Sequence, residues 1–212
     1  MDSLDRLLKL YQTNRVQIEK RLRDFKRVGK QGDEEIFAEL CFCLLTPQSR
    51  AEACDDIIQT LKKKKLLLKG DAEAFQPFLK KTRFYKTKSN YLVEAKRLFQ
   101  ENGTVAVKKR LHPGDVHATR EWLVENVKGI GYKEASHFLR NIGLGESIAI
   151  LDRHVLRALG KLGILRRLPK SLTKKRYLKI EEKMRQFADQ LHIPVSHLDL
   201  LFWSSEANRI FK

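Results

Sequence analysis

The chain has 212 residues, and its 43 Lys and Arg against 26 Asp and Glu give a formal net charge of +17. About 42% of the residues are hydrophobic, which is enough for a core and excludes a disordered chain. No apolar run approaches the ~18 residues that a membrane-spanning helix needs. The charge favours a nucleic acid partner over ribosomal or membrane-surface binding, with simple solubility or heat adaptation as further alternatives.

Apolar residues recur at helical spacing along almost the whole chain, and no segment shows sustained strand alternation. The opening MDSLDRLLKLYQTNR is amphipathic with early acids, so we predict a helix there rather than a signal peptide. Later helices are predicted to begin at or near Asp33, Arg50 or Glu52, Asp71, residue 86, Asp115, Gly131, Asp152, Thr173 and Ser196. Breaks are predicted at Thr46 and Pro47, Asn102 and Gly103, Gly129, and Gly143 and Gly145. The pattern therefore predicts an all-α protein of about ten helices.

The chain has three cysteines, Cys41, Cys43 and Cys54. An odd number in a helical context, without a secretory signal, indicates reduced thiols inside a cell. Cys41 shares a helical face with Phe37 and Leu40, so we predict that it is buried. The last third of the chain has no cysteine, which excludes a four-cysteine iron–sulfur cluster there, and the six histidines lack a metal-like spacing. These residues therefore offer no recognisable metal-binding spacing.

The stretch KGIGYKEASHFLRN, residues 128–141, contains two glycines that flank an isoleucine. Two helices joined by such a turn form a close hairpin, whose unpaired amides and positive helix dipole suit an anion such as a DNA phosphate. Gly129 is predicted to end the first helix in a conformation that β-carbons resist, and Gly131 to let the backbone approach a ligand. The alternative is a plain helical corner in which the glycines serve only packing.

Lys133 lies in the first turn of the second hairpin helix, where the helix dipole disfavours its ammonium form and favours a nucleophilic amine. Asp152 follows the apolar run at residues 148–151 and is predicted to cap a helix, accepting backbone N–H bonds that hold it ionised. A carboxylate beside a nucleophilic amine suits a reaction that develops positive charge, such as cleavage of an N-glycosidic bond. A surface lysine and an ordinary capping aspartate are the alternatives.

GIGYKEA, with the Asp of LDRH 19 positions after its lysine, resembles the helix-hairpin-helix superfamily of base-excision DNA glycosylases. Within that superfamily, LCFCLLT, RFY at 83–85, KGIGYKEASHFLRN, AILDRHVLR and HLDLLFW resemble the archaeal-type 8-oxoguanine DNA glycosylase/AP lyases. The resemblance covers nearly the whole chain, is strongest over 124–157 and is weak over 51–76. It implies that Lys133 attacks C1′ of the damaged nucleotide, expels the base, forms a Schiff base and nicks the strand by β-elimination. Asp152 would stabilise the developing positive charge, and the resemblance implies that no metal or redox cofactor is needed.

Further residues are expected to hold the DNA once the damaged base has left the duplex. Those expected to contact the DNA backbone are Lys128, Gly129, Gly131 and His154. Those expected to fill the gap or meet the opposite base are Gln48, Arg83 and Phe84, although PQSR at 47–50 departs from the archaeal-type pattern. Those expected in the base pocket are Trp203, which would stack, and Lys212, whose carboxylate or nearby carbonyls would accept from N7–H of 8-oxoguanine. Core packing is the alternative for Phe84, Tyr85 and Trp203.

We predict an all-α fold of two helical lobes with a DNA cleft between them. One lobe would span 36–148 and contain the hairpin at about 115–141, and 1–35 with 149–212 would form the other. The predicted function is excision of 8-oxoguanine by a bifunctional glycosylase and AP lyase. The alternatives are the same chemistry on an oxidised pyrimidine or other modified purine, or a non-catalytic DNA-binding module. The expected partner is double-stranded DNA with the damaged base flipped out, bound by a monomer in the cytoplasm or nucleoid, away from membranes.

Overall fold

The computed structural model describes residues 3–207 and Lys212, with the backbone alone at 205–207. This part of the chain forms eleven α-helices, one 3-10 helix and one hairpin of two-residue strands. The elements are α1 Ser3–Gly29, α2 Asp33–Leu45, α3 Ala51–Lys63, α4 Leu66–Lys69, α5 Ala72–Leu79, α6 Tyr85–Phe99, β1 Gln100–Glu101, β2 Thr104–Val105, the 3-10 turn Lys108–Arg110, α7 Val116–Asn126, α8 Tyr132–Asn141, α9 Arg153–Lys161, α10 Lys174–Gln190 and α11 Val195–Ala207. The all-α prediction is confirmed. None of the described helices is both long and apolar enough to cross a membrane.

Side-chain caps fix several of the predicted helix starts. Asp71, Asp115 and Asp152 each accept a hydrogen bond from the backbone N–H three residues later, at 2.8, 2.9 and 2.8 Å. The prediction that Asp33 caps α2 is wrong, because Gly32 is the N-cap residue. The carboxylate of Asp33 instead accepts from the backbone N–H of Lys108 at 2.7 Å, which ties the first turn of α2 to the 3-10 helix.

The end of α6 also differs from the prediction. The helix stops at Phe99, and the chain then forms the antiparallel hairpin β1–β2. Asn102 and Gly103 have φ angles of +49° and +80°, the left-handed pair that a two-residue hairpin turn requires. This Asn-Gly pair therefore turns a hairpin rather than ending a helix.

The buried hydrophobic side chains fall into two clusters. The first lies within 36–148 and is built from α2 through α8, and the second joins α1 to α9, α10 and α11. The change from one cluster to the other occurs between Ile148 and Ala149, in the apolar run that leads into α9. Helix α1 packs against α11 and against α8. The second hairpin helix therefore borders both clusters.

All three cysteines are free thiols buried in the first cluster, and the predicted burial of Cys41 is confirmed. Burial raises the pKa of the Cys54 thiol to about 11. It raises the pKa of Cys41 and Cys43 as well. These thiols are therefore protonated at neutral pH.

Candidate active site

A cleft of about 820 Å³ is lined by residues from distant parts of the chain. The lining comes from residues 46–52, from Arg83, from α8, from residues 150–155, from α11 and from Lys212. Seven predicted site residues line it, namely Gln48, Arg83, Lys133, Asp152, His154, Trp203 and Lys212. The structure thus brings the two predicted catalytic residues together with most of the residues assigned to the wedge and the base pocket.

The hairpin turn between α7 and α8 lies beside this cleft. Gly129 has φ +89°, and a β-carbon there would lie 2.3 Å from the ring of Tyr91, so the turn requires glycine. The expectation that the amides of this turn lack internal partners is wrong for two of them. Ile130 N–H donates to Val127 O at 3.1 Å, and Gly131 N–H donates to Glu134 Oε2 at 3.3 Å.

Lys133 is the second residue of α8, and its side chain is 26% exposed. Its Nζ lies 3.6 Å from Glu134 Oε1, and both residues line the cleft. Glu134 thus carries out two tasks, since its other carboxylate oxygen accepts from the hairpin turn. The N3 position of a helix is where an acidic residue reaches back to the N-cap amide, so the sequence held a signal for Glu134 that we did not use.

Asp152 is the N-cap of α9, as predicted, and is half-buried at the end of the buried run 148–151. Its Oδ1 accepts from Val155 N–H at 2.8 Å, a bond that stabilises the carboxylate form. His154 follows on the first turn of the same helix and also lines the cleft. Asp152 therefore caps α9 and lines the cleft at the same time.

A buried ion pair lies beside the cleft and was missed from the sequence. Arg140 of α8 donates to Asp199 of α11 at 2.7 Å. Burial raises the pKa of the Asp199 carboxyl, although Arg140 opposes that shift. His137, one turn after Lys133, is also buried, and its burial together with the charges of Arg140 and Lys133 lowers its pKa well below the usual range. An acid inside the apolar run HLDLLFW was the signal that a buried partner exists.

Lys212 is held by its amine. Nζ donates to Asp55 at 2.7 Å and to Glu39 at 3.1 Å, and it lies 4.7 Å from the ring centre of Phe42. Burial alone would lower the pKa of Lys212, but Glu39 and Asp55 outweigh it, so the pKa is raised. The half-buried Trp203 of α11 lines the same cleft.

The predicted wedge residues are exposed. Gln48 and Arg83 line the cleft, and Arg83 stacks over Phe84 with 4.9 Å between its guanidinium carbon and the ring centre. Phe84 is 53% exposed, so core packing is the wrong alternative for it, whereas Tyr85 packs against the first cluster. Phe84 is not among the cleft-lining residues. Lys128 is exposed outside the cleft and pairs with Glu94 at 3.0 Å.

Lys88 is a further residue that the sequence reasoning missed. It is buried on α6 and donates to the backbone next to Gln48. Its position four residues before Leu92 places it on the buried face of α6, which was a usable signal. Burial, with a smaller effect from Lys133, lowers its pKa to about 8.

The described residues contain no group of three or more His, Cys, Asp or Glu that could hold a metal ion.

Known proteins resemble the chain in sequence along most of its length. A family model described as 8-oxoguanine DNA glycosylase matches residues 18–193. A protein of Fusobacterium nucleatum named 8-oxoguanine DNA glycosylase/AP lyase is 47% identical over 96% of this chain and 95% of the relative. A protein of the same name from Korarchaeum cryptofilum is 40% identical over 92% of this chain and 90% of the relative.

Solved structures agree with these relatives. The 8-oxoguanine DNA glycosylase of Thermotoga maritima superposes with a TM-score of 0.87 at 34% identity, covering 99% of this chain and 98% of that one. The Methanocaldococcus jannaschii 8-oxoguanine glycosylase/lyase, solved with 15mer DNA containing 8-oxoguanine, superposes with a TM-score of 0.86 at 34% identity, covering 97% and 99%. The family model, the relatives and the shared fold show that the chain belongs to the 8-oxoguanine DNA glycosylase family.

Proposed function

We propose that the chain excises 8-oxoguanine from DNA in base excision repair, as a bifunctional N-glycosylase and AP lyase. The observation that carries the proposal is the meeting of Lys133 and Asp152 in one cleft, each at the start of a helix. The M. jannaschii relative bound to DNA containing 8-oxoguanine, which shares the fold along nearly the whole chain, supports the same substrate here.

In the proposed mechanism, Nζ of Lys133 attacks C1′ of the damaged nucleotide as a neutral amine. The C1′–N9 bond breaks, and its electron pair leaves on the base, which takes up a proton. The nitrogen gives up one proton, the C1′–O4′ bond then breaks with its electron pair on O4′, which takes up a proton, and the nitrogen lone pair forms the C=N bond of a protonated Schiff base. Loss of a C2′ proton breaks the C3′–O bond and nicks the strand on the 3′ side. Glu134 Oε1 lies 3.6 Å from Nζ, close enough to orient the amine in the cleft.

Asp152 is proposed to act through its charge. The Val155 amide stabilises its carboxylate as an anion, and the half-buried setting reduces screening by water. Positive charge develops on the sugar as the base leaves, and a nearby fixed anion stabilises that transition state. The acid is therefore assigned to electrostatic stabilisation and to help in deprotonating Lys133.

The remaining site residues are proposed to hold the DNA. Lys128, Gly129, Gly131 and His154 would contact backbone phosphates, while Gln48, Arg83 and Phe84 would fill the gap left by a flipped base. Trp203 would stack on that base. The amine of Lys212 is already engaged by Glu39 and Asp55, so its main-chain oxygen atoms are the groups proposed to accept from N7–H.

We further propose that the chain acts as a monomer of two lobes, 36–148 and 1–35 with 149–212. The two hydrophobic clusters, which meet between Ile148 and Ala149, support this division. A repair enzyme of this kind acts where DNA is, in the cytoplasm or nucleoid.

Borohydride trapping tests the chemistry. Reduction of the Schiff base links enzyme and DNA covalently, so the wild-type chain mixed with a duplex containing 8-oxoguanine should give a cross-linked band. Lys133→Gln should abolish the band, whereas Lys86→Gln, at an exposed lysine on α6, should keep it. If the wild-type chain gave no band with this duplex, with duplexes carrying the other lesions or with an abasic-site duplex, the chain would be a DNA-binding module.

Excision from a panel of lesions tests the substrate. Duplexes carrying 8-oxoguanine, an oxidised pyrimidine or another modified purine should be cut with 8-oxoguanine clearly preferred. If another lesion were preferred, the proposed lysine chemistry would stand, but 8-oxoguanine would not be the substrate.

A further inference from the structure

Lys88 makes three hydrogen bonds to a single short loop. The residue is 3% exposed and lies in the first turn of α6. Its ammonium group donates to Leu45 O at 2.7 Å, to Pro47 O at 2.7 Å and to Ser49 Oγ at 2.9 Å. An ammonium group has three N–H donors, so each has an acceptor. All three acceptors lie between the end of α2 and the start of α3.

The chemistry of this position favours a cation that fixes the loop. Leu45 is the last residue of α2, so its carbonyl lacks a partner within the helix and lies at the negative end of the helix dipole. A buried ammonium group is unfavourable unless hydrogen bonds replace its lost water. The three loop acceptors supply those bonds, and they therefore hold loop and lysine together.

The same loop is joined to the segment that precedes α6. Ser49 Oγ, which accepts from Lys88, also accepts from the backbone N–H of Arg83 at 3.1 Å. Residues 46–50 and 82–84 therefore form one hydrogen-bonded unit, which we call the loop pair. Gln48 stands on one member of the loop pair, and Arg83 and Phe84 stand on the other.

Two exposed residues of the loop pair, Gln48 and Phe84, have strained backbone. Gln48 has φ +54° and Phe84 has φ +59°, a left-handed conformation that bulky residues rarely adopt. Such conformations persist where the surrounding structure holds them, and they concentrate at functional sites. Gln48 is exposed at the cleft, and Phe84 is 53% exposed.

We propose that Lys88 is a positioning residue that holds the loop pair as a preformed wedge, which enters the duplex when the damaged base leaves it. The inference rests on the proposed function. A base that leaves the stack opens a gap, and a filler that is already ordered loses less conformational entropy on insertion than a mobile loop does. Lys88 itself does not contact DNA, and it acts by holding Gln48, Arg83 and Phe84 in place.

The test compares a substrate that needs the wedge with one that does not. Single-turnover excision of 8-oxoguanine from a duplex needs gap filling, whereas cleavage of an abasic site in single-stranded DNA does not. Lys88→Met should lower duplex excision at least about tenfold, since it removes charge-assisted hydrogen bonds, and change single-stranded cleavage far less. Lys86→Met is the matched control, because it removes the same charge from an exposed position of the same helix. Its duplex to single-strand ratio should equal that of the wild type.

A fluorescence signal reports the wedge directly. With 2-aminopurine opposite a tetrahydrofuran abasic-site analogue, wild-type binding should change the emission as the opposite base is unstacked, and Lys88→Met should give a smaller change. Ser49→Ala removes the acceptor shared by Lys88 and Arg83 and should act in the same direction, so it decides the matter if Lys88→Met does not fold. Equal ratios and equal emission in the wild type, Lys88→Met and Ser49→Ala would overturn the proposal. If the wild-type chain gave no borohydride-trapped product, the proposed function itself would be overturned.

Discussion

The buried polar side chains on the two sides of helix α8 differ in how completely they are hydrogen-bonded. On the side away from the cleft, Arg120 pairs with Glu181 at 2.7 Å, both side chains are 1% exposed, and Ser136 accepts from Arg120. On the cleft side, Arg140 pairs with Asp199, and His137 lies one turn after Lys133. Among the described residues, the first side leaves one buried polar side-chain atom without a partner, Arg120 Nε. The second leaves three, Asp199 Oδ1 and both ring nitrogens of His137.

The network of Arg120 and Glu181 extends to the backbone of the run that precedes α9. Glu181 also accepts from Ala149 N–H at 2.8 Å, and Tyr177 hydroxyl donates to Ala149 O at 2.7 Å. These bonds fix the run that leads to Asp152 against helix α10. Buried groups left without partners reduce stability, and they concentrate where a ligand can supply the missing bond.

Neutralising Glu181 should have the largest effect on stability. Glu181→Gln leaves the Arg120 cation buried without a counter-charge, and we expect the free energy of unfolding to fall by about 3 kcal/mol. Urea denaturation measures the loss. Glu182→Gln, at a half-exposed neighbour paired with Arg185, should change the same quantity by less than about 0.5 kcal/mol. Equal losses in the two variants would contradict the contrast between the two sides of α8.

Neutralising Asp152 should affect activity and spare the fold. Asparagine caps a helix about as well as aspartate, so the melting temperature of Asp152→Asn should stay near that of the wild type. The excision rate should fall by about 10²–10³-fold, because the anion that stabilises the developing charge is gone. Single-turnover excision measures it, with Asp71→Asn at the N-cap of α5 as the control. A rate near that of the wild type would reduce Asp152 to a helix cap.

Neutralising Asp199 should have a smaller effect on stability than neutralising Glu181. This variant compares the ion pair on the cleft side of α8 with the one on the other side. Arg140 also donates twice to Asn141 Oδ1, and asparagine at 199 keeps an acceptor for it, so its guanidinium stays hydrogen-bonded. We expect Asp199→Asn to lower the free energy of unfolding by about 1 kcal/mol, well below the loss in Glu181→Gln. Urea denaturation of the two amide variants side by side decides the order.

The pH dependence of that variant has a definite sign. Burial raises the folded-state pKa of Asp199 above its ordinary value, so the folded chain takes up this proton at a higher pH than the unfolded chain. Stability of the wild type relative to Asp199→Asn should therefore rise as pH falls from neutral through the raised pKa toward the ordinary value. Urea titrations at neutral pH and at about pH 5 measure the change. A falling relative stability would contradict the assignment of burial as the dominant cause.

Local chemistry made much of the fold predictable. The caps at Asp71, Asp115 and Asp152 bind amides three residues away, so each signal and its partner lie within one turn of chain. The Asn102 and Gly103 pair was read as a helix end because the same dipeptide serves both helix ends and hairpins. Which role it takes depends on the strand that follows.

The site was predictable only in part, for a different reason. Lys133 and Asp152 stand in a short, distinctive spacing, and the cleft contains both. Lys88 and Ser49 are 39 residues apart, and Arg120 and Glu181 are 61 apart, so nothing local pairs them. The polar residues that hold the site together depend on the packed structure and could not be read from spacing.

The three buried cysteines have a practical consequence. A thiol reacts as its thiolate, and burial keeps Cys41, Cys43 and Cys54 both protonated and out of reach. A new cysteine on the surface, for example in place of the exposed Val16, would therefore react with a maleimide dye ahead of them. A variant with this one added cysteine can carry a single dye for observing encounters with DNA, and its three natural cysteines need not be removed first.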